Sequence, residues 1–318
     1  MYDIVGVDWP CIDLNINVKT FPKPNGGEMI RRLSWQGGGK VSSGLTAAGR
    51  LGVRSAILGA VGDDIFGRFC RDDFERHNVD TAGLAARANC STPFCTVISD
   101  QDTGGRSIIY KPGTSGGVDY NEVDKKFLRG VKYFFIAGIN DDVKKMSLEA
   151  KSNGAEIVID ADGYSEHVMD FAEHIDVFVA SEAVYAALGG NYLNTQSVCE
   201  SVIKKGPSIV VFTMGEKGCA GLSAEGYFEL PAYKVEAVDT VGAGDVYHGA
   251  FIAGLLDGRS VVETARFASA CSAVKCCRIG GRAGVPNKKV LEDYMASGII
   301  DFTEIDERCL FYERGLER

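Results

Sequence analysis

The sequence predicts an α/β protein: a three-layer α/β/α sandwich on a mostly parallel central sheet, with a small β-sheet lid. Three observations carry this. Short apolar runs recur at 4–7, 55–58, 133–136, 156–159, 177–179 and 209–212, and runs of this length read as strands buried on both faces. Between them lie amphipathic segments of helical length, at 42–51, 66–77, 143–152, 195–204 and 245–256; such alternation implies parallel strands joined by helical crossovers. Two stretches, 14–35 and 92–110, break the rhythm by alternating polar and apolar residues, the second around the turn-rich 100–105. They read as strands of a β-layer standing off the main sheet, either a flap that excludes water from a site or plain surface hairpins. No repeat or linker divides the chain, so one domain spans 1–318, with 299–318, where charges mix with isolated aromatics, as a helical C-terminal appendage.

Composition narrows the function. With 45% hydrophobic residues in 318, the chain is long enough to bury a large core. A formal net charge of −9 opposes binding to nucleic acid, whose affinity rests on Lys and Arg contacts with phosphates. No stretch reaches the roughly 20 apolar residues that span a bilayer, and no secretory signal stands at Met1; a cytoplasmic location without membrane partner is expected. The ten cysteines are scattered, and Cys11, Cys70, Cys199, Cys219 and Cys271 lie in apolar or helix-like segments, as buried small hydrophobes do in a reducing compartment. Cys276 and Cys277 have no second pair to complete a zinc site.

The most informative segment is Asp239-Thr-Val-Gly-Ala-Gly-Asp245, which leads directly into a helical pattern. Gly242, Ala243 and Gly244 carry almost no side chain, so their amides can approach an anion closely, and the helix that follows points its positive end the same way. Asp245 stands in the first turn of that helix, as a helix-stabilising carboxylate or as a base for an attacking hydroxyl. The heptad fixes six of its seven positions and resembles the second signature of the ribokinase-like, or PfkB, family of carbohydrate kinases. The resemblance covers nearly the whole chain in the family's order: 37–52 is similar to the first signature, 59–67 to the segment after it, and Thr213-Met-Gly-Glu-Lys-Gly218 to the nucleotide-side TxGxxG.

The resemblance implies a kinase that takes ATP and magnesium and phosphorylates a hydroxyl, expected to be a primary alcohol, of a small sugar or sugar derivative. It implies that Asp245 is the catalytic base and that the backbone at Gly242, Ala243 and Gly244 is the anion hole. Asp13 matches a residue that holds two sugar hydroxyls, and Gly38 and Gly39 let backbone approach the sugar. Lys40 is expected at the sugar or in solvent. Ser43 stands where the family usually has Asn, which points to a shifted or differently substituted substrate. Ser181, Thr213, Gly215 and Gly218 are expected on the nucleotide side. Ser181-Glu-Ala-Val184 departs from the family's Asn-x-x-Glu, so magnesium is expected to rest chiefly on nucleotide phosphates and water. Asp239 and Thr240, with a glycine-rich loop at 276–284, fall where some members coordinate a monovalent cation, so potassium is a further expectation. An exposed lid edge would allow a homodimer. The rival reading is a catalytically silent sugar- or nucleotide-binding regulator of the same fold; a nicotinamide-dependent dehydrogenase is weaker, because GxGxxG is missing after the first strand.

Overall fold

The structure is a computed structural model and describes residues 1–316. In chain order its strands are β1 (Ile4–Val7), β2 (Cys11–Val18), β3 (Arg32–Gly38), β4 (Ser55–Gly62), β5 (Val79–Asp80), β6 (Leu84–Arg87), β7 (Phe94–Asp100), β8 (Arg106–Lys111), β9 (Tyr133–Ile136), β10 (Glu156–Ala161), β11 (Val177–Ser181), β12 (Ile209–Thr213), β13 (Cys219–Ser223) and β14 (Gly226–Leu230). The helices are α1 (Lys40–Arg50), α2 (Ile65–Arg76), α3 (Asp141–Ser152), α4 (Glu166–Asp170), α5 (Glu182–Ala187), α6 (Thr195–Ile203), α7 (Ala243–Leu256), α8 (Val261–Cys276), α9 (Lys288–Ser297) and α10 (Thr303–Glu313).

The apolar runs form the middle of a ten-stranded sheet ordered β14-β13-β12-β11-β10-β9-β1-β4-β5, with β6 also beside β4. Its members are parallel from β12 to β5, and only β13 and β14 run against their neighbours. Because successive side chains leave a strand on opposite faces, neighbours in sequence feed different cores. Ile4, Phe135, Val158 and Val179 pack with α1, α7 and α8, whereas Val5, Phe134, Ile157 and Phe178 pack with α3, α5 and α6. A sheet buried on both faces reads as a continuous apolar run for this reason. The three-layer sandwich is therefore the observed architecture.

The two alternating stretches come together as a separate four-stranded sheet, β3-β2-β7-β8. Strand β2 is antiparallel to β3, with Asp13 opposite Gln36, and parallel to β7, with Asp13 opposite Cys95. The strands are longer than the pattern suggested, beginning at Cys11 and ending at Gly38 in the first half. Trp35, Phe66 and Phe94 stack at ring separations of 5.5–6.4 Å and pin this sheet to α2. Its edge strand β8 exposes Ile108, Ile109 and Tyr110.

The C-terminal segment is helical over α10, but it is a packed part of the core rather than an appendage: Ile305 and Tyr312 are fully buried. Burying one such side chain contributes about 1.5–3 kcal/mol. The expectation for 299–318 extends to residues 317 and 318, which lie outside the described residues.

Candidate active site

Ligand sites in open α/β sheets form beyond the carboxyl ends of the parallel strands. Asp8 follows β1, Asp160 sits near the end of β10 with Asp162 just after it, and the segment 239–245 leads into α7 close by. Asp8 Oδ2 accepts the amide of Ser42 at 2.7 Å, which caps the first turn of α1. Lys40, the first residue of α1, reaches across to Asp162 with Nζ 2.9 Å from Oδ2. Asp160 is 2% exposed; its Oδ1 lies 3.5 Å from His248 Nε2, and its Oδ2 has no hydrogen-bond partner. His248, one turn after Asp245, also places Nδ1 2.7 Å from the Gly244 carbonyl and Nε2 3.1 Å from that of Val179.

Asp245 is half-buried in the first turn of α7. Burial, reinforced by the charges of Asp160, Asp8 and Asp162 and only partly offset by Lys40, pushes its carboxyl well above the usual carboxylate range. Burial likewise raises Asp160, against the pull of His248 and Lys40. Lys40 itself is held above its ordinary value, since burial works against its charge but Asp162, Asp160 and Asp245 outweigh it.

The turn before α7 depends on Gly242, which has φ 71° and whose Cβ, if present, would lie 2.8 Å from Gly281 Cα. No L side chain fits that conformation and contact together. The Ala243 amide donates to Thr240 O at 3.2 Å. The amides of Gly244 and Asp245 belong to the first helical turn, whose N–H groups have no intrahelical acceptor. They stand at the positive end of a 14-residue helix, where negative charge is favoured.

The residues expected at the sugar gather on one side. Asp13 points from β2 against Gly38, where an added Cβ would sit 2.3 Å from Asp13 Oδ1, so only glycine allows the approach. Cys11 Sγ donates to Asp13 Oδ1 at 3.3 Å. Burial raises the Asp13 carboxyl, while Cys11, the Arg282 charge and Cys95 act the other way. Ser43 is only 3% exposed, and its hydroxyl meets Arg282 Nε at 3.4 Å. Arg282 is fully buried; it donates to Gly38 O at 2.8 Å and to Asp73 Oδ2 at 2.6 Å, while its own amide donates to Gln36 Oε1 at 2.7 Å. The sequence reading missed Arg282, because its partners lie more than 200 positions away in the chain.

On the side expected for the nucleotide, Ser181 ends β11 and Thr213 ends β12, side by side in the sheet. Ser181 Oγ donates to Asp162 O at 2.6 Å and accepts the Val184 amide at 3.5 Å as the cap of α5. Val184 is buried at 1% exposure and faces the core. Thr213 Oγ1 donates to Ala180 O at 3.3 Å. Gly215 stands open at the turn, whereas a Cβ on Gly218 would lie 1.9 Å from Leu230 O, so close strand packing already explains that glycine.

At the expected monovalent-cation position the structure holds a lysine. Lys275, fully buried in the last turn of α8, donates through Nζ to Asp239 O at 2.9 Å and to Val241 O. The Asp239 carboxylate is engaged by Ser99 Oγ at 3.0 Å and by the amides of Val241 and Gly280 at 3.0 and 2.8 Å, while Thr240 is exposed. Lys275 was not legible as a partner of this turn, since a lysine late in a helix usually faces solvent.

Fold and site together define an α/β protein with a cluster of acids beside the N-terminus of α7 and a small second sheet. Residues 1–288 match the family described as pfkB family carbohydrate kinase. The chain is 27% identical over 282 residues to an ATP-dependent ribose-1-phosphate kinase of Halopiger xanaduensis, covering 87% of this chain and 92% of that one. It is 26% identical to a nucleoside kinase of Methanothermobacter thermautotrophicus, covering 90% and 93%. Among solved structures, a Giardia lamblia ribokinase shares the fold with a TM-score of 0.80 at 20% identity, over 93% and 99% of the two chains. Arabidopsis thaliana ribokinase, solved with ribose and ATP, shares it with a TM-score of 0.77 at 20% identity, over 92% and 98%. The chain belongs to the pfkB family of carbohydrate kinases and is thus a phosphotransferase. No helix among the described residues is long and apolar enough to cross a membrane.

Proposed function

We propose that this enzyme transfers the terminal phosphoryl group of ATP to a primary hydroxyl of a small sugar or sugar derivative. The observation that supports this most is Asp245: a half-buried carboxylate with its protonation poised upward, among other acids, at the mouth of an amide nest. Phosphoryl transfer asks for positioning, charge stabilisation and an acceptor for the alcohol's proton. In this reading the Gly242, Ala243 and Gly244 backbone receives the charge that develops on the transferring group. Asp245 takes the proton from the hydroxyl. Asp13 accepts hydrogen bonds from two sugar hydroxyls, with the backbone at Gly38 and Gly39 beside them, and the four-stranded sheet acts as the lid that excludes water. The relatives' names range over ribose-1-phosphate, nucleoside, fructose and 5-dehydro-2-deoxygluconate kinases, which supports a small sugar or sugar derivative without singling one out.

Several expectations take a changed form. Ser43 supports the sugar site through Arg282 and Gly38 rather than by touching the sugar. The nucleotide lies along Thr213 and Gly215, with Ser181 shaping that edge. Lys40 bridges the acids and the phosphate side. For magnesium, the oxygen-only donors Asp160 and Asp162 and the unpartnered Asp160 Oδ2 suit a hard cation; bound there with the nucleotide, it would neutralise phosphate charge. A structure of an Escherichia coli ribokinase II-like protein holds both ATP and Mg2+. For the monovalent cation we propose that the Lys275 ammonium already supplies the charge, so that potassium is not required.

A silent regulator of the same fold has no use for an acid left without a bonded cation beside the amide nest. The exposed Ile108, Ile109 and Tyr110 edge supports pairing with a second copy through β8, which sedimentation of the wild type and of an Ile109→Lys variant would test. The activity itself is tested by ADP release with Mg2+ and ATP across a panel of pentoses, pentose phosphates, ketohexoses and nucleosides. Sugar-dependent release that falls about 10²–10⁴-fold in Asp245→Asn is the expected result, and the absence of release with every acceptor would remove the proposal.

A further inference from the structure

Cys11, Asp13 and Cys95 face one another on a single face of the small sheet. Cys11 and Asp13 are two apart on β2, and Cys95 stands opposite Asp13 on β7. Cys11 Sγ lies 4.0 Å from Cys95 Sγ and 3.3 Å from Asp13 Oδ1, and one ligand atom from each residue falls within 4.8 Å of the others. Two thiolates on one tetrahedral zinc, at about 2.3 Å each, stand about 3.8 Å apart, and a thiolate and a carboxylate oxygen about 3.5 Å apart. The observed separations match both. A disulfide fits less well, because Cys11 and Cys95 are diagonal across a parallel ladder, two residues (about 6.6 Å) apart along the strand and one strand spacing (about 4.8 Å) apart across it, which puts their Cα atoms roughly 8 Å apart, beyond the usual span of the bond. All three residues are part-exposed, so an ion can reach them. The nearby Arg282 charge offsets the negative charge that two thiolates and a carboxylate bring together.

We propose that Cys11, Cys95 and Asp13 form a site for a thiophilic divalent ion such as zinc, which switches the enzyme off by taking the carboxylate meant for the sugar. The ion binds with release of the two thiol protons to solvent, and water fills its fourth position. Magnesium does not compete, because it prefers oxygen ligands. The blocking part rests on the sugar role of Asp13; the metal site does not.

The test uses the whole chain, kept reduced. Cd2+ is added while thiolate-to-metal ultraviolet absorbance is followed, and Zn2+ is then used as inhibitor with Mg2+ and ATP in excess. The expected results are absorbance saturating at one ion per chain, Zn2+ inhibition competitive with sugar, and reversal by a chelator. Cys95→Ala retains activity, loses the absorbance, and needs at least about 10–100-fold more Zn2+ for half-inhibition. Cys90→Ser, altered at a part-exposed cysteine outside the cluster, behaves as wild type. Absorbance that survives in Cys95→Ala, or that is lost in Cys90→Ser, would overturn the site. One-to-one absorbance with sugar-independent inhibition would overturn the blocking step and take Asp13 away from the sugar, leaving the metal site standing.

Discussion

Asp73 and Asp245 are the same residue in opposite circumstances. Asp73 is 2% exposed, and each of its oxygens is taken: Oδ2 by Arg282 at 2.6 Å, Oδ1 by the Tyr312 hydroxyl, which also lies 2.6 Å from His77 Nε2. Asp245 has no bonded cation among the described residues; burial first, and then the charges of Asp160, Asp8 and Asp162, drive its carboxyl upward. One carboxylate is locked in a network that ties α2, α10 and the 277–285 loop to Gly38. The other is raised out of its ordinary range at the place where the proposed reaction takes up a proton. A bonded cation, which Asp73 has and Asp245 lacks among the described residues, separates the two acids.

Replacing each acid should therefore fail in a different way. Asp245→Asn is expected to lower turnover by about 10²–10⁴-fold with ATP affinity nearly kept, measured by steady-state kinetics and nucleotide titration. Its stability should rise at neutral pH. A carboxyl whose pKa is raised on folding contributes stability only in its protonated form, and that contribution is lost as pH rises through the folded value; the amide removes the penalty there, and the difference should fade in acid. Asp73→Ala should instead cost about 3–5 kcal/mol in urea denaturation, because it leaves the Arg282 charge buried and unpaired.

A smaller effect is expected at Lys275. Wild-type activity should be equal in sodium, potassium or tetramethylammonium salts. Lys275→Ala should lose about tenfold to a hundredfold in turnover, the scale of charge-assisted hydrogen bonds, with partial recovery in ammonium or potassium. A wild type that responds strongly to potassium would show that the lysine does not fill that role.

The comparison also explains what was readable in the sequence. The central strands were legible because burial on both faces leaves an unbroken apolar run, as at 156–161 and 177–181. Strand β13, Cys-Ala-Gly-Leu-Ser, carries no β-branched residue and gave no such signal. Helix α8 is apolar on most of its circumference and so lacks the stripe that marks a surface helix. Within the site, Asp245 and Gly242 were legible because one short segment holds both the turn and the acid. Asp160, Asp162 and Arg282 were not, since their meaning comes from partners brought close only by the sheet. The carboxyl ends of strands were nonetheless a signal that Asp160-Ala-Asp162 met.

Asp245 is an acid held above its ordinary titration range. The measurement that meets it most directly is kcat/KM for the sugar as a function of pH, with Mg2+ and ATP saturating, since that ratio reports the ionisation of the enzyme before sugar binds. The acid limb should fall with a midpoint clearly above the ordinary aspartate value of about 3.9, and the residual activity of Asp245→Asn should lack that limb. A midpoint at or below the ordinary value, or the same limb persisting in Asp245→Asn, would contradict the account.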